Sequence, residues 1–284
     1  MAVVDLHVHS TASDGEYEPA EVVRRAAKLG LAAIALTDHD TIAGLPDAIA
    51  AGAALGIEIV TGCEFSVAAH WGEMHLLAYF LPAEDGRLSA YLEEQRAKRV
   101  ERARKIVVRL NNLGIDVTLD EVMAVADGGA VGRPHVARVL VNRGEVPDVE
   151  AAFRRYLGWR RPAFVPKSLP PVAQVTALVR GLGGVTSAAH LKDRATRGAL
   201  RKLRAVGLDG VEVRHPMHDE VTARRILQLA EELHLLPTGG SDWHGENQDP
   251  ADRASLGELA VPEAWLTAIH ELHQQRVSQS EAVT

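Results

Sequence analysis

Histidines and carboxylates recur along this chain where they could converge on divalent cations. His7 and His9 stand at i and i+2 at the end of an apolar, β-branched run, so both side chains leave one face of a strand. His39 ends a second such run in Thr37-Asp38-His39-Asp40, Glu64 ends a third, and His75 sits near the start of a fourth. His190 follows another run, and Asp242 and His244 follow a short one. One strand-end histidine carries little signal. A succession of them is hard to explain as incidental, because buried polar groups cost free energy unless they are partnered. Imidazole and carboxylate without thiolate suits Mn²⁺, Fe²⁺ or Zn²⁺ rather than an iron–sulfur cluster. Several ligands of both kinds imply more than one ion, and two-metal sites serve phosphoester hydrolysis by a metal-bridging hydroxide.

Such residues need strands that deliver them to one rim. Strand-like runs at 3–7, 32–37, 58–65 and 74–80 alternate with helix-like stretches at 18–29 and 42–54, a pattern that predicts βα units and a parallel sheet. The alternation resumes with strands at 184–188, 211–213 and 236–239 and helices at 171–181, 195–205, 220–234 and 262–276. These flanks supply about seven strands, enough for a barrel-like sheet whose strand C-termini share a rim. His75 reaches that rim only if its strand runs antiparallel to its neighbours. Between the flanks the pattern turns helical: one long helix at 88–113, shorter ones at 119–126, 134–142 and 149–157, then a strand at 162–165. The expected division is therefore a barrel at 1–87 and 166–284 with a helical insertion at 88–165.

Composition fits this α/β reading. The 284 residues are 46% hydrophobic but only 4% aromatic, so the core is aliphatic. The net charge of −7 argues against a dedicated nucleic-acid binder, yet its distribution is uneven. From Leu88 to Lys167 there are fifteen Lys/Arg against ten Asp/Glu, a balance of +5 that leaves −12 for the remainder. A basic middle segment could attract a phosphorylated ligand. Cys63 is the single cysteine, which excludes an intrachain disulfide and fits a reducing compartment; it is expected in the core. No basic leader and no apolar run of roughly 20 residues stands in the chain. The expectation is a cytoplasmic protein without membrane contact or an obligatory protein partner.

The motifs Asp5-Leu6-His7-Val8-His9-Ser10, Leu36-Thr37-Asp38-His39-Asp40-Thr41, Gly62-Cys63-Glu64 with His75, Ala189-His190 and Gly240-Ser241-Asp242-Trp243-His244-Gly245 resemble the PHP (polymerase and histidinol phosphatase) family, in the family's order. The resemblance implies an α/β fold, a distorted seven-stranded TIM-like barrel with a trinuclear metal cleft. It assigns His7, His9, Glu64 and Asp242 to one metal, and Glu64 as a bridge to a second with His75 and His190. Asp14, His39 and His244 would hold a third; some members carry His where this chain has Asp14. His39, Glu64, Asp242 and His244 would also act in the catalytic step.

The insertion is similar to that of the family's 3′,5′-nucleoside bisphosphate phosphatases and 5′→3′ exoribonucleases, on two features. One is Arg99-Val100-Glu101-Arg102 leading to Gly114-Ile115; the other is Gly132-Arg133-Pro134-His135-Val136-Ala137-Arg138. Arg99 and Arg102 share a helix face, and guanidinium groups suit bidentate phosphate binding. Arg99, Arg102, Arg133, His135 and His218 are thus the candidate substrate-binding residues; a solvated helix face is the plainer reading of the arginines. His70, His234, His270 and His273 are expected at the surface. The implied activity is removal of the 3′-phosphate from a nucleoside bisphosphate, with two or three divalent ions, Mn²⁺ ahead of Fe²⁺ or Zn²⁺, or exonuclease action on the 5′ end of short RNA. A histidinol-phosphate-like or general small-molecule phosphatase shares the same ligands. A metal-binding accessory module without catalysis is the non-enzyme alternative.

Overall fold

Strand β1 (Val3–Val8) shows how the chain builds its interior. Asp5, His7 and His9 alternate with Val4, Leu6 and Val8, and every one of these side chains is buried. The polar set faces the barrel centre and the aliphatic set is covered by helices, so both faces of the sheet are inside. The computed structural model describes residues 3–127, 129–246 and 254–281. It divides into two compact units, Met1–Asp85 with Leu169–Thr284, and Gly86–Ser168.

The first unit is a nearly closed barrel of mixed strands. After β1 come β2 (Ala33–Leu36), β3 (Glu58–Ala69), β4 (Gly72–Tyr79), β5 (Val185–Ala188), β6 (Gly210–Arg214), β7 (Leu236–Gly239) and β8 (Val261–Pro262). Their order is β7-β6-β5-β4-β3-β2-β1-β8. β1, β2 and β3 pair in parallel, as do β5, β6 and β7. β4 is antiparallel to both its neighbours, as His75 requires, and β8 is antiparallel to β1. The described residues form eight strands, where the sequence pattern suggested seven. The extra one has two residues, one a proline, and reads as the lead-in to a helix.

Closure comes where β1 meets the chain beyond β7. His9 N–H donates to the Trp243 carbonyl at 2.9 Å, and Val8 and Trp243 form a parallel bridge. The Asp5 carboxylate accepts from Ser241 N–H at 2.9 Å and from Gly257 N–H at 2.8 Å, tying three segments together. Gly240 makes the approach possible: a Cβ there would lie 2.4 Å from the His7 backbone nitrogen.

The barrel helices follow amphipathic spacing. In α1 (Pro19–Lys28) proline opens the helix, Glu21 sits in the first turn, and Arg25 and Lys28 sit in the last, complementing the dipole. Val22, Val23 and Ala26 form its buried face, packing with Ile34 and Leu36 of β2. α2 (Leu45–Leu55) ends at Gly56, in the left-handed conformation at φ 71°.

The second unit is helical: α3 (Gly86–Asn112), α4 (Leu119–Ala126), α5 (Arg133–Asn142) and α6 (Val149–Ala152). Its own core joins Ile106, Val107 and Leu110 of α3 to Val122, Val136, Leu140 and Leu157. A Thr118–Glu121 capping box starts α4. One local expectation is modified here and another fails. The helix beginning at Val149 widens into a π-helix over Phe153–Leu157. The strand expected at 162–165 is a turn, in which Phe164 N–H bonds the Arg161 carbonyl. Pro162 supplies no amide for a ladder.

Barrel closure at Gly240 is testable. Gly240→Ala should cost on the order of 3 kcal/mol or prevent folding, because the clash is with strand backbone. Gly198→Ala, where a Cβ meets nothing within 4 Å, should be neutral. Urea denaturation of both variants checks this; equal stability would contradict the packing described for Gly240.

Candidate metal centre

The site lies inside the barrel, and β1 supplies its floor. His7 and His9 are fully buried, and β3 brings Glu64 opposite them. His7 Nε2 lies 3.3 Å from Glu64 Oε2 and 3.2 Å from Asp242 Oδ1; His9 Nε2 lies 3.3 and 3.1 Å from the same two oxygens. On the other side, Glu64 Oε1 faces His75 Nδ1 at 2.9 Å and His190 Nε2 at 3.2 Å. His39 Nδ1 is 3.1 Å from Glu64 Oε2. Toward solvent, Asp14 lies 3.3 Å from His244 Nε2, 3.8 Å from His39 Nε2 and 3.9 Å from His9 Nδ1.

These contacts form overlapping groups that could each hold an ion: His7, His9, Glu64 and Asp242; His39, Glu64 and His75; and His9, Asp14, His39 and His244. Every residue expected to bind metal lies in this cluster, but His190 belongs to none of these groups and meets it only through Glu64 Oε1, and two refinements follow. His9 presents a nitrogen to two groups, and His39 stands between the second and the third. Glu64 does not end its strand: β3 continues to Ala69, forming a long hairpin with β4 that sets Ser66 opposite His75.

The donor atoms fit cations better than they fit each other. His7 Nε2, both nitrogens of His9, His39 Nδ1 and Glu64 Oε2 are buried without a hydrogen-bond partner among the described residues. Orphaned buried polar atoms on this scale are costly, and a shared cation would satisfy them together. Their electrostatics agree. Burial disfavours charged His7, yet Asp242, Glu64 and Glu212 hold its pKa well above the ordinary range. Burial likewise works against His9, and the Asp242 and Glu64 carboxylates beside it raise its pKa to about 10. Burial opposes ionisation of Glu64, but His39, His75 and His7 keep its carboxyl well below the usual value. The carboxylates thus set a negative potential at the buried imidazoles, which a cation among them would meet.

Surrounding groups aim the ligands. His7 Nδ1 is 2.9 Å from Glu212 Oε1, so its Nε2 points inward; His190 N–H donates to Glu212 Oε2 at 2.7 Å. His244 Nδ1 bonds the Asp242 carbonyl at 2.8 Å, which frees Nε2 for Asp14. Asp38 accepts from Ser10 N–H at 2.8 Å and from the Ser10 and Ser13 hydroxyls at 2.7 Å, shaping the loop that carries Asp14. Asp40, His190 and Asp242 adopt positive φ of 50°, 32° and 52°. Such strain in non-glycine residues persists where surrounding bonds over-determine it. Cys63 is buried in the core and its thiol is pushed well up by burial, so it takes no part.

Glu212 and His215 were missed in the sequence. Glu212 is fully buried among apolar neighbours of β6, and His215 follows that strand as His9 follows β1. His215 Nδ1 accepts from Met217 N–H at 3.1 Å, so Nε2 carries the proton and faces Asp242 Oδ2 at 3.3 Å. The signal was present: a polar residue alternating inside an apolar strand, then a strand-end histidine.

Among the residues expected to bind substrate, His218 has both ring nitrogens engaged with backbone. Its Nδ1 donates to the Val213 carbonyl at 3.0 Å, and its Nε2 accepts from Lys192 N–H at 3.1 Å. With both nitrogens engaged, its part is to hold the segment Leu191–Arg194. That segment, with Met217, forms one wall of a cavity of about 490 Å³ whose other wall is His39, Glu64, His75, His190 and Asp242. In the helical unit, Arg102 Nε donates to the Val165 carbonyl at 2.9 Å, and Arg133 donates to the Leu157 carbonyl at 3.2 Å. His135 Nδ1 accepts from Gly132 N–H and caps α5. Arg99 is half-buried on α3. Of the histidines expected at the surface, His70 and His234 are exposed, while His270 and His273 are half-buried beside Phe80.

The orienting role of Glu212 gives a prediction. Glu212→Gln places an amide against a ring or backbone donor and should weaken Mn²⁺ binding about 10–100-fold. Calorimetric titration measures it; unchanged affinity would show that Glu212 does not aim His7.

Comparison with known proteins agrees with the geometry. Residues 5–145 match the family model described as PHP domain. The chain is 36% identical to a 5′-3′ exoribonuclease of Haemophilus influenzae, over 87% of this chain and 95% of that protein. It is 33% identical to a 3′,5′-nucleoside bisphosphate phosphatase of Chromobacterium violaceum, over 91% and 93%. Among solved structures, a Bifidobacterium adolescentis protein provisionally described as a metal-dependent phosphoesterase superposes with a TM-score of 0.83 at 32% identity, covering 95% of this chain and 96% of that one. A Chromobacterium violaceum amidohydrolase, with sulfate bound and no metal, gives 0.80 at 31%, covering 95% and 97%. Its motifs, its barrel and its buried His/Asp/Glu clusters, consistent with a polynuclear metal site, place this chain in the PHP-domain family of metal-dependent phosphoesterases.

Proposed function

We propose that the protein removes the 3′-phosphate of 3′,5′-nucleoside bisphosphates and acts by the same chemistry on the 5′ end of short RNA. The observation that carries this reading is the convergence of unsatisfied, buried imidazole and carboxylate atoms on shared points beside an open cavity. The nucleotide substrate is drawn from the two relatives just named, whose lengths the chain matches nearly throughout.

In this reading His7, His9, Glu64 and Asp242 hold one ion, and Glu64, His75 and His190 a second. Asp14, His39 and His244 hold a third. Mn²⁺ suits the mixed nitrogen and oxygen donors, with Fe²⁺ or Zn²⁺ as alternatives. When bound, the ions would supply Lewis-acid stabilisation of phosphoryl oxygens and an activated water. The chain's own residues do the rest. Glu212 and His215 orient His7 and Asp242; Asp38 fixes the Asp14 loop. Lys192 and Arg194 line the cavity, with Asp193 between them, and are the cations it offers to a phosphorylated ligand. In the helical unit Arg99, Arg102, Arg133 and His135 are the candidate phosphate-binding residues for the substrate. The site of action is the cytoplasm. Among the described residues no helix is long and apolar enough to cross a membrane.

With Mn²⁺ present, phosphate release from adenosine 3′,5′-bisphosphate should exceed release from histidinol phosphate by at least about tenfold, a discrimination that one well-placed charged contact supplies. Arg99→Ala with Arg102→Ala should raise KM for the bisphosphate. Equal rates on the two substrates would make the enzyme a general phosphatase, and an unchanged KM would leave the arginines as a solvated helix face.

A further inference from the structure

The segment following α6 carries chemistry that the metal centre does not use. Its π-helix ends at Leu157, and the chain then turns through Gly158–Arg161, with Arg160 at φ 59°. Backbone bonds fix the turn: Gly158 N–H to the Phe153 carbonyl at 2.8 Å, and Ala163 N–H to the Tyr156 carbonyl at 3.0 Å. Trp159 stands on this turn and is 71% exposed, more than any other exposed large hydrophobic residue described. It is propped rather than loose, meeting the Phe164 ring edge-on at 5.1 Å. The Arg133 guanidinium lies 5.6 Å from the centre of that same Phe164 ring.

Four exposed arginines stand within five residues of Trp159 along the chain: Arg154, Arg155, Arg160 and Arg161. Arg154 is paired with Glu150 at 3.1 Å, whereas Arg155, Arg160 and Arg161 make no ion pair with a described residue. A lone exposed apolar side chain needs no explanation. A propped tryptophan among three uncompensated guanidinium groups has the make-up of a single-strand nucleic-acid platform, where bases stack on the aromatic ring and phosphates meet the cations. The same charges argue against a second copy of this chain as occupant, since an isologous contact would set arginines against arginines.

We infer that Trp159 with Arg155, Arg160 and Arg161 forms a binding surface for single-stranded RNA. This rests on the phosphoesterase reading above and adds to it a surface that holds a strand but not a mononucleotide. A base stacks on the indole and the neighbouring phosphates pair with the guanidinium groups. Binding here is tolerant of sequence, because every base offers a π-face.

The test compares a 5′-phosphorylated oligoadenylate of ten residues with adenosine 3′,5′-bisphosphate, with Mn²⁺ present. Trp159→Ala should lower kcat/KM on the oligonucleotide about tenfold more than on the bisphosphate, and Trp159→Phe should recover most of the difference. Replacing Arg155, Arg160 and Arg161 together by Ala should reduce the slope of log affinity for the oligonucleotide against log salt by about 2. Equal losses on both substrates, or no loss on either, would overturn the proposal. So would a wild-type enzyme that hydrolyses the bisphosphate and leaves the oligonucleotide intact. Failure on both substrates would sink the phosphoesterase reading, and this surface with it.

Discussion

Glu64 is a carboxylate held almost wholly out of water, and much of the barrel is arranged around the cost of keeping it there. One oxygen faces His7, His9 and His39, and the other faces His75 and His190. An isolated buried carboxylate would take up a proton; these imidazoles keep it ionised instead. The arrangement draws on β1, β3, β4 and the chain beyond β2 and β5, so the barrel must close before the charge is compensated. A site of this kind couples folding to cation binding, because no comparable set of donors exists in the unfolded chain.

That constraint accounts for features that would otherwise look unrelated. β4 runs antiparallel within a largely parallel sheet, which delivers His75 to the same face as strand-end residues. Asp5 ties β1 to the Ser241 and Gly257 amides, keeping His7 and Asp242 at fixed separation. Positive φ at Asp40, His190 and Asp242 marks where the chain bends sharply to aim or support a ligand. Glu212 serves two ligands at once, through the His7 ring and the His190 amide.

Much of this was legible in the sequence because the ligands interrupt apolar runs at strand ends. His7-Val8-His9 and Asp38-His39-Asp40 announce themselves in that way, and the antiparallel placement of His75 followed from its position alone. Glu212 escaped notice because one carboxylate alternating within Gly-Val-Glu-Val-Arg looks like an ordinary half-exposed strand; burial on both faces is a tertiary fact. β8 is too short for any periodicity, and its proline reads as a helix start. The turn at Trp159 was obscured by Pro162–Val165, whose apolar character suggested a strand although proline cannot join a ladder. His218 looked available because its partners, the Val213 carbonyl and the Lys192 amide, are backbone groups that no motif displays.

The central claim is that these donors hold more than one metal ion, with Glu64 shared between two of them. Anomalous diffraction at the manganese edge, from crystals grown with Mn²⁺, tests it most directly. The account predicts one peak among His7, His9, Glu64 and Asp242 and another among Glu64, His75 and His190, with Glu64 touching both. A single peak, or none within reach of Glu64, would contradict it.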